Sequence, residues 1–331
     1  MNQVREFRDL GALCARISHV RAVVFVLLVA AAGAIAPSAS ADGLPVLGID
    51  VGSQGVTVPA SADRYVTINE GGTTLVERIE RNSGSVLRVA RLNGTFTIPA
   101  VAYDSSASGL SAAGTRLVLI EPRQSFPRSE TTFALLDARG LGVYRTFTLH
   151  GDFSFDAISP RGRTMYLVNY TRPNDPTRYT VRAFDLNAYR LLPSPITDPA
   201  EHSDKMRGSP ITRQMSADGR WAYTLYDGAG STPFVHALDT AHRRARCIDL
   251  PMLAGRADLW ALRLRRDAGG IGVVAAGGPV ATIDTTTFTA GLPSVHSTRD
   301  LRPWLILGAV LLLGLLAAAA RTAIRRQPST A

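Results

Sequence analysis

Ser159-Pro-Arg-Gly-Arg-Thr-Met-Tyr-Leu-Val168, followed after a polar interval by Tyr179-Thr-Val-Arg-Ala-Phe-Asp-Leu-Asn187, decides how the chain is read. A turn sequence opens onto a short apolar run, and a second run ends on an acid and an asparagine. Gly, Asp and Asn suit such turns because they tolerate positive φ or hydrogen-bond their own backbone. Around this pair the unit parses as four strands: A at Phe155–Ser159, B at Thr164–Tyr170, C at Tyr179–Leu186 and D near Leu191–Thr197. Strand B is almost continuously apolar, as a strand covered on both faces should be.

The same unit recurs outward in both directions. Ser216-Ala-Asp-Gly-Arg-Trp-Ala-Tyr-Thr-Leu225 leads to Pro233-Phe-Val-His-Ala-Leu-Asp-Thr240. Upstream, Ser111 and Ser61 open units whose second runs end at Asp137 and Glu80, and a last unit runs from Arg266 to Asp284. The turn anchors at 61, 111, 159, 216 and 266 are 50, 48, 57 and 50 residues apart. The acids Glu80, Asp137, Asp185, Asp239 and Asp284 are 57, 48, 54 and 45 apart, so two independent landmarks keep one period. Residues 44–292 show short runs bounded by turn residues and no 3.6-residue periodicity, which is an all-β signature. A four-stranded antiparallel unit of about 50 residues repeated in series predicts a β-propeller of about five blades.

Tyr65-Val-Thr-Ile68, the Ser-Ala-Asp-Gly-Arg turn at 216–220 and the acid closing each third strand carry a family likeness. Through them the chain resembles the YVTN and WD40-like propeller repeats of exported bacterial proteins. The resemblance covers 44–292 and implies architecture rather than activity, because propellers host unrelated functions.

The 331 residues are 46% hydrophobic and 19% charged, which excludes a disordered chain. The apolar residues concentrate at the ends. Arg5, Arg8, Arg16 and Arg21 precede an apolar run from Ala22 to Ala36 and a small-residue stretch ending at Ala41. This predicts a signal peptide over 1–41. Pro303 to Ala320 are 18 uncharged residues followed by Arg321, Arg325 and Arg326, which predicts a transmembrane helix over 303–320 and a cytoplasmic tail over 321–331. The propeller ectodomain is then 42–292, with a linker over 293–302. The expected address is the cell membrane, single-pass, with the propeller outside. The net charge of +9 is no nucleic-acid signature, since removing 1–41 and 301–331 leaves 28 basic and 25 acidic residues. Cys247 is the only cysteine between 42 and 300, so no disulfide is expected there, and its strand setting predicts an inert buried thiol.

Catalytic and metal motifs are absent from the sequence, so neither a metal nor a cofactor is expected. His150, Asp152, Ser154 and Asp156 form the densest polar group, at the entry to a strand expected to line the propeller axis. If the protein is an enzyme, a hydrolase of the lactonase type implied by some YVTN-like propellers, then Asp156, His150 and Arg213 are the residues to suspect. Tyr166, Trp221, Phe184 and Phe234 fall at matching strand positions and are expected to be core. The long connections 121–130, 171–178, 197–208 and 227–232 fall on one face. The short-turn face is rich in arginine, with Arg163, Arg220 and Arg243 as candidate ligand-binding residues. The expectation is a tethered binding or scaffolding module whose partner is an envelope protein or an anionic envelope polymer.

Overall fold

Period-2 alternation and Gly- or Asp-containing turns give short antiparallel strands joined by hairpins. The computed structural model describes residues 55–57, 62–201, 206–267 and 269–293. The first sheet holds β1 (Asp63–Glu70), β2 (Thr73–Glu80) and β3 (Val86–Asn93), and the second β4 (Arg116–Ile120), β5 (Glu130–Asp137) and β6 (Val143–His150). The third consists of β7 (Phe153–Ile158), β8 (Thr164–Tyr170), β9 (Arg178–Asp185) and β10 (Arg190–Ile196), with β11 (Met206–Arg207) also paired to β9. The fourth is β12 (Pro210–Met215), β13 (Trp221–Tyr226), β14 (Phe234–Asp239) and β15 (Arg244–Asp249). The fifth is β16 (Arg263–Asp267), β17 (Gly270–Ala275), β18 (Gly278–Asp284) and β19 (Thr289–Gly291). All pairings are antiparallel between neighbours in sequence, apart from β11.

The sheets stack face to face in chain order, because alternate residues of each central strand serve opposite neighbours. Leu117, Leu119, Ala134 and Leu136 pack on the first sheet, whereas Val118, Ile120, Phe133 and Leu135 pack on the third. Met165, Leu167 and Phe184 face the second sheet, and Tyr166, Val181 and Ala183 face Ala222 and Leu238 of the fourth. Tyr223, Leu225, Val235 and Ala237 then meet Ile271, Val273, Ala281 and Ile283 of the fifth. Each fully buried Leu, Val or Phe contributes roughly 1.5–3 kcal/mol. Of the four matched aromatics, Tyr166, Phe184 and Phe234 are buried between sheets, and Trp221 is half-buried against the fourth–fifth core.

Both landmarks of the repeat have a local cause. The Ser at the A–B turn accepts from backbone N–H groups four and five residues on: Ser111 from Thr115 and Arg116, Ser159 from Arg163 and Thr164, and Ser216 from Trp221. The acid at the end of the third strand caps the next turn, as Asp185 does for Asn187 and Ala188, and Asp284 for Thr286 and Thr287. Four residues after each acid the backbone turns left-handed, at Gly84, Leu141, Tyr189, Arg243 and Phe288.

Among the described residues the first two sheets have three strands each, where the sequence predicts four. In the first, the innermost strand is represented by one bridge, Val56 to Tyr65. In the second, the bridges Thr97–Ile120 and Leu110–Leu117 mark where that strand begins and ends, and the residues between them leave the sheet. They form a finger closed by an Ala100–Ala107 bridge, with Ser105 at φ 63°. Its tip continues the edge of the fourth sheet: the Tyr103 and Asp104 amides donate to Pro210 and Ile211 oxygens at 3.0 and 3.1 Å. Tyr103 also stacks edge-on against Trp260, and Asp104 lies 3.7 Å from Arg263. The finger therefore spans from the second sheet to the fourth and fifth.

Among the described residues, helix is limited to three one-turn 3-10 segments, and no helix is long and apolar enough to cross a membrane. The predicted signal peptide and the predicted span over 303–320 lie outside the described residues.

Candidate functional site

The axial group is built by the first strands of the third and fourth sheets. The β7–β8 register slips between Phe155 and Ala157, and Asp156 is the extra residue of that bulge. Its side chain meets the Arg213 guanidinium of β12, whose Nη1 also donates to the Asp156 carbonyl at 2.8 Å. The two side chains are 4% and 3% exposed, so this is a buried ion pair joining two sheets. His150 is elsewhere. It ends β6, the outermost strand of the second sheet, with its side chain 92% exposed beside Glu130. The expected trio is thus not assembled: Asp156 and Arg213 come together, and His150 does not join them.

A second buried cluster went unrecognised in the sequence. Asp152 accepts from Arg123 and from the Arg128 amide at 3.0 Å, and Arg128 Nε lies 3.4 Å from the same carboxylate. Arg123 also donates to Ser154 at 3.2 Å and lies 4.9 Å from the Tyr170 ring centroid. Burial, then the neighbouring Arg123 charge, lowers the Arg128 pKa to about 10. The long 121–130 connection thereby turns its arginines inward and is fastened to the third sheet. The only sequence signal was the polar cluster around Asp152, which does not name a partner 29 residues away.

From Arg213 a polar row crosses the fourth sheet. Cross-strand register pairs Arg213 with Thr224, Thr224 with His236 and His236 with Cys247. This row faces the third sheet. Burial lowers the His236 pKa to about 4 and raises the Cys247 thiol to about 12, so both are neutral near pH 7. Cys247 is half-buried rather than buried, and its raised pKa accords with the expected unreactive thiol.

On the short-turn face the three candidate arginines differ. Arg163 and Arg243 are exposed. Arg220 is held by Asp239 through Nε and Nη2, at 3.1 and 2.6 Å, and Asp239 also receives His242. The acids of these turns spend their oxygens on backbone amides: Asp185, Asp284 and Glu80 are each lowered in pKa chiefly by such bonds or by a Ser hydroxyl. The carboxylates are held down on their own turns, still charged, while Arg161, Arg163, Arg190, Arg243 and Arg244 are exposed.

Fold and sites define an all-β chain of propeller-type stacked sheets. Neither a family model nor a curated protein matches the sequence. Among solved structures it is similar to hydrazine synthase of Kuenenia stuttgartiensis (15% identity, 75% of this chain and 60% of that one, TM-score 0.40). It is also similar to TolB from Acinetobacter baumannii (13%, 67% and 51%, 0.38) and BamB from Moraxella catarrhalis (13%, 74% and 63%, 0.34). The chain thus spans half to under two thirds of those proteins' lengths. Likeness at this level transfers no activity to this chain.

Proposed function

We propose that the protein is a five-bladed propeller of YVTN/WD40-like type, exported and tethered through 303–320, that binds an anionic envelope polymer or an acidic envelope protein through its short-turn face. The observation that carries the reading is the division of labour in the turns: acids cap backbone amides while Arg161, Arg163, Arg190 and Arg243 stay exposed. Repeated at successive sheets, this leaves a positive surface suited to multiple contacts with a polyanion.

Arg243 supports the reading further. It is an exposed arginine in a left-handed backbone position, φ 58°, where the first sheet has Gly84. A non-glycine residue there costs roughly 1 kcal/mol, so Arg243→Gly should be neutral or stabilising by up to about 1 kcal/mol. The test is retention of the full-length protein on immobilised poly-glutamate, with Arg243→Gly and Arg163→Ser combined. Earlier elution in salt by a folded, equally stable variant is expected. Unchanged retention would overturn the proposal. Arg220 is left intact because its loss would strip Asp239 of a partner.

The hydrolase trio is not assembled: Asp156 and Arg213 pair inside the sheet interface, with Asp156 Oδ2 and Arg213 Nε lacking a hydrogen-bond partner among the described residues, and His150 is on the outer edge.

A further inference from the structure

Where the β10–β12 connection meets β14 and β15, the third and fourth sheets part around a cavity of about 250 Å³. Val181, Ile196, Met206 and Phe234 supply its apolar walls, and the His236 ring and Cys247 lie at its sheet side. Of its three carboxylates, Asp198 is already engaged: it accepts from Arg246 Nη1 and from the Ala200 and Cys247 amides, all at 2.9 Å. Glu201 and Asp249 are exposed at the rim and form no ion pair among the described residues, with Arg207 as the cation opposite. Among the described lining residues the unengaged charge is therefore acidic by one.

A second observation points inward from the wall. His236 is 1% exposed, and its Nε2 has no hydrogen-bond partner among the described residues. A buried polar atom without a partner costs on the order of 1–3 kcal/mol, and a neutral imidazole offers one acceptor nitrogen as well as one donor. The His236 ring borders the cavity, so a donor that reached its Nε2 would meet an unpaired acceptor beside the apolar walls.

We propose that this cavity binds a small organic cation, a primary ammonium on a short alkyl chain, between Glu201, Asp249 and the His236 imidazole. The site is independent of the arginine face, and either can fail without the other.

The probe is n-butylammonium, titrated calorimetrically into the full-length protein, with n-butanol and butyrate as controls for chain and charge. Saturable binding of butylammonium is expected, with n-butanol and butyrate each weaker by about ten-fold or more, a difference of ~1.4 kcal/mol. Glu201→Gln with Asp249→Asn, both at exposed positions, should weaken butylammonium by about ten-fold or more without lowering the melting temperature. His236→Phe should abolish binding while leaving the domain folded, and if that variant fails to fold the rim pair alone decides. Heats that never saturate, tighter binding of butyrate, or equal affinity in wild type and the rim variant would each overturn the proposal.

Discussion

Asp156 shows how much depends on single buried charges. Replacing it by Asn leaves the Arg213 guanidinium inside the sheet–sheet interface without its counter-charge, and breaking such a pair costs about 3–5 kcal/mol. We expect a lower urea midpoint for Asp156→Asn, and recovery of much of the loss when Asp156→Leu is combined with Arg213→Met. His236 gives a signed pH dependence. Its pKa is about 4 folded against 6.5 ordinarily, so the unfolded chain binds more protons between those values. Stability should be intact above pH 6.5 and fall on acidification towards pH 4, by up to ~3 kcal/mol, a loss that His236→Phe should remove from the unfolding free energy. Asp185 and Asp284 titrate below the usual carboxylate range, so their turns weaken only at lower pH. The repeat parse put Asp156 and Arg213 together on innermost strands, whereas Asp152 with Arg123 was not legible at residue scale. Asp156 and Arg213, 57 positions apart, are linked by the repeat period, but Asp152 and Arg123, 29 apart, fall in a connection that no local pattern ties to the strand.

The strands were legible because their causes are local. Alternation fixes which side chains face each neighbour, and the Ser and acid landmarks are hydrogen-bonding residues of the turns themselves. A further regularity could have been found by aligning the turns: the position four beyond each acid is left-handed, yet only the first unit places glycine there. The finger between β3 and β4 had no such signal, having neither period nor repeated turn. Its return depends on Gly109, at φ 101°, where a Cβ would lie 2.5 Å from the Val118 oxygen. Gly109→Ala should therefore destabilise by about 2 kcal/mol or more in chemical denaturation, while Gly142→Ala, with open space around it, should stay within ~0.5 kcal/mol.

At the scale of the whole molecule, five sheets stacked in chain order make a serial array in which each unit mainly contacts its neighbours. The repeat period announced this array, and composition located the chain's apolar ends. What the charge total hid was orientation: acids turned back onto their own turns, arginines left outward on one face and drawn inward at Arg123 and Arg128. The finger breaks the nearest-neighbour rule. Its Ser106 hydroxyl accepts from the Arg213 amide 107 residues downstream, so this contact cannot form until the fourth unit has been made. A nascent chain would hold the finger's tip unpaired through synthesis of the third unit, until β12 of the fourth docks against it. Such a long-range clasp slows assembly and turns what would be stepwise melting of an array into a more concerted transition.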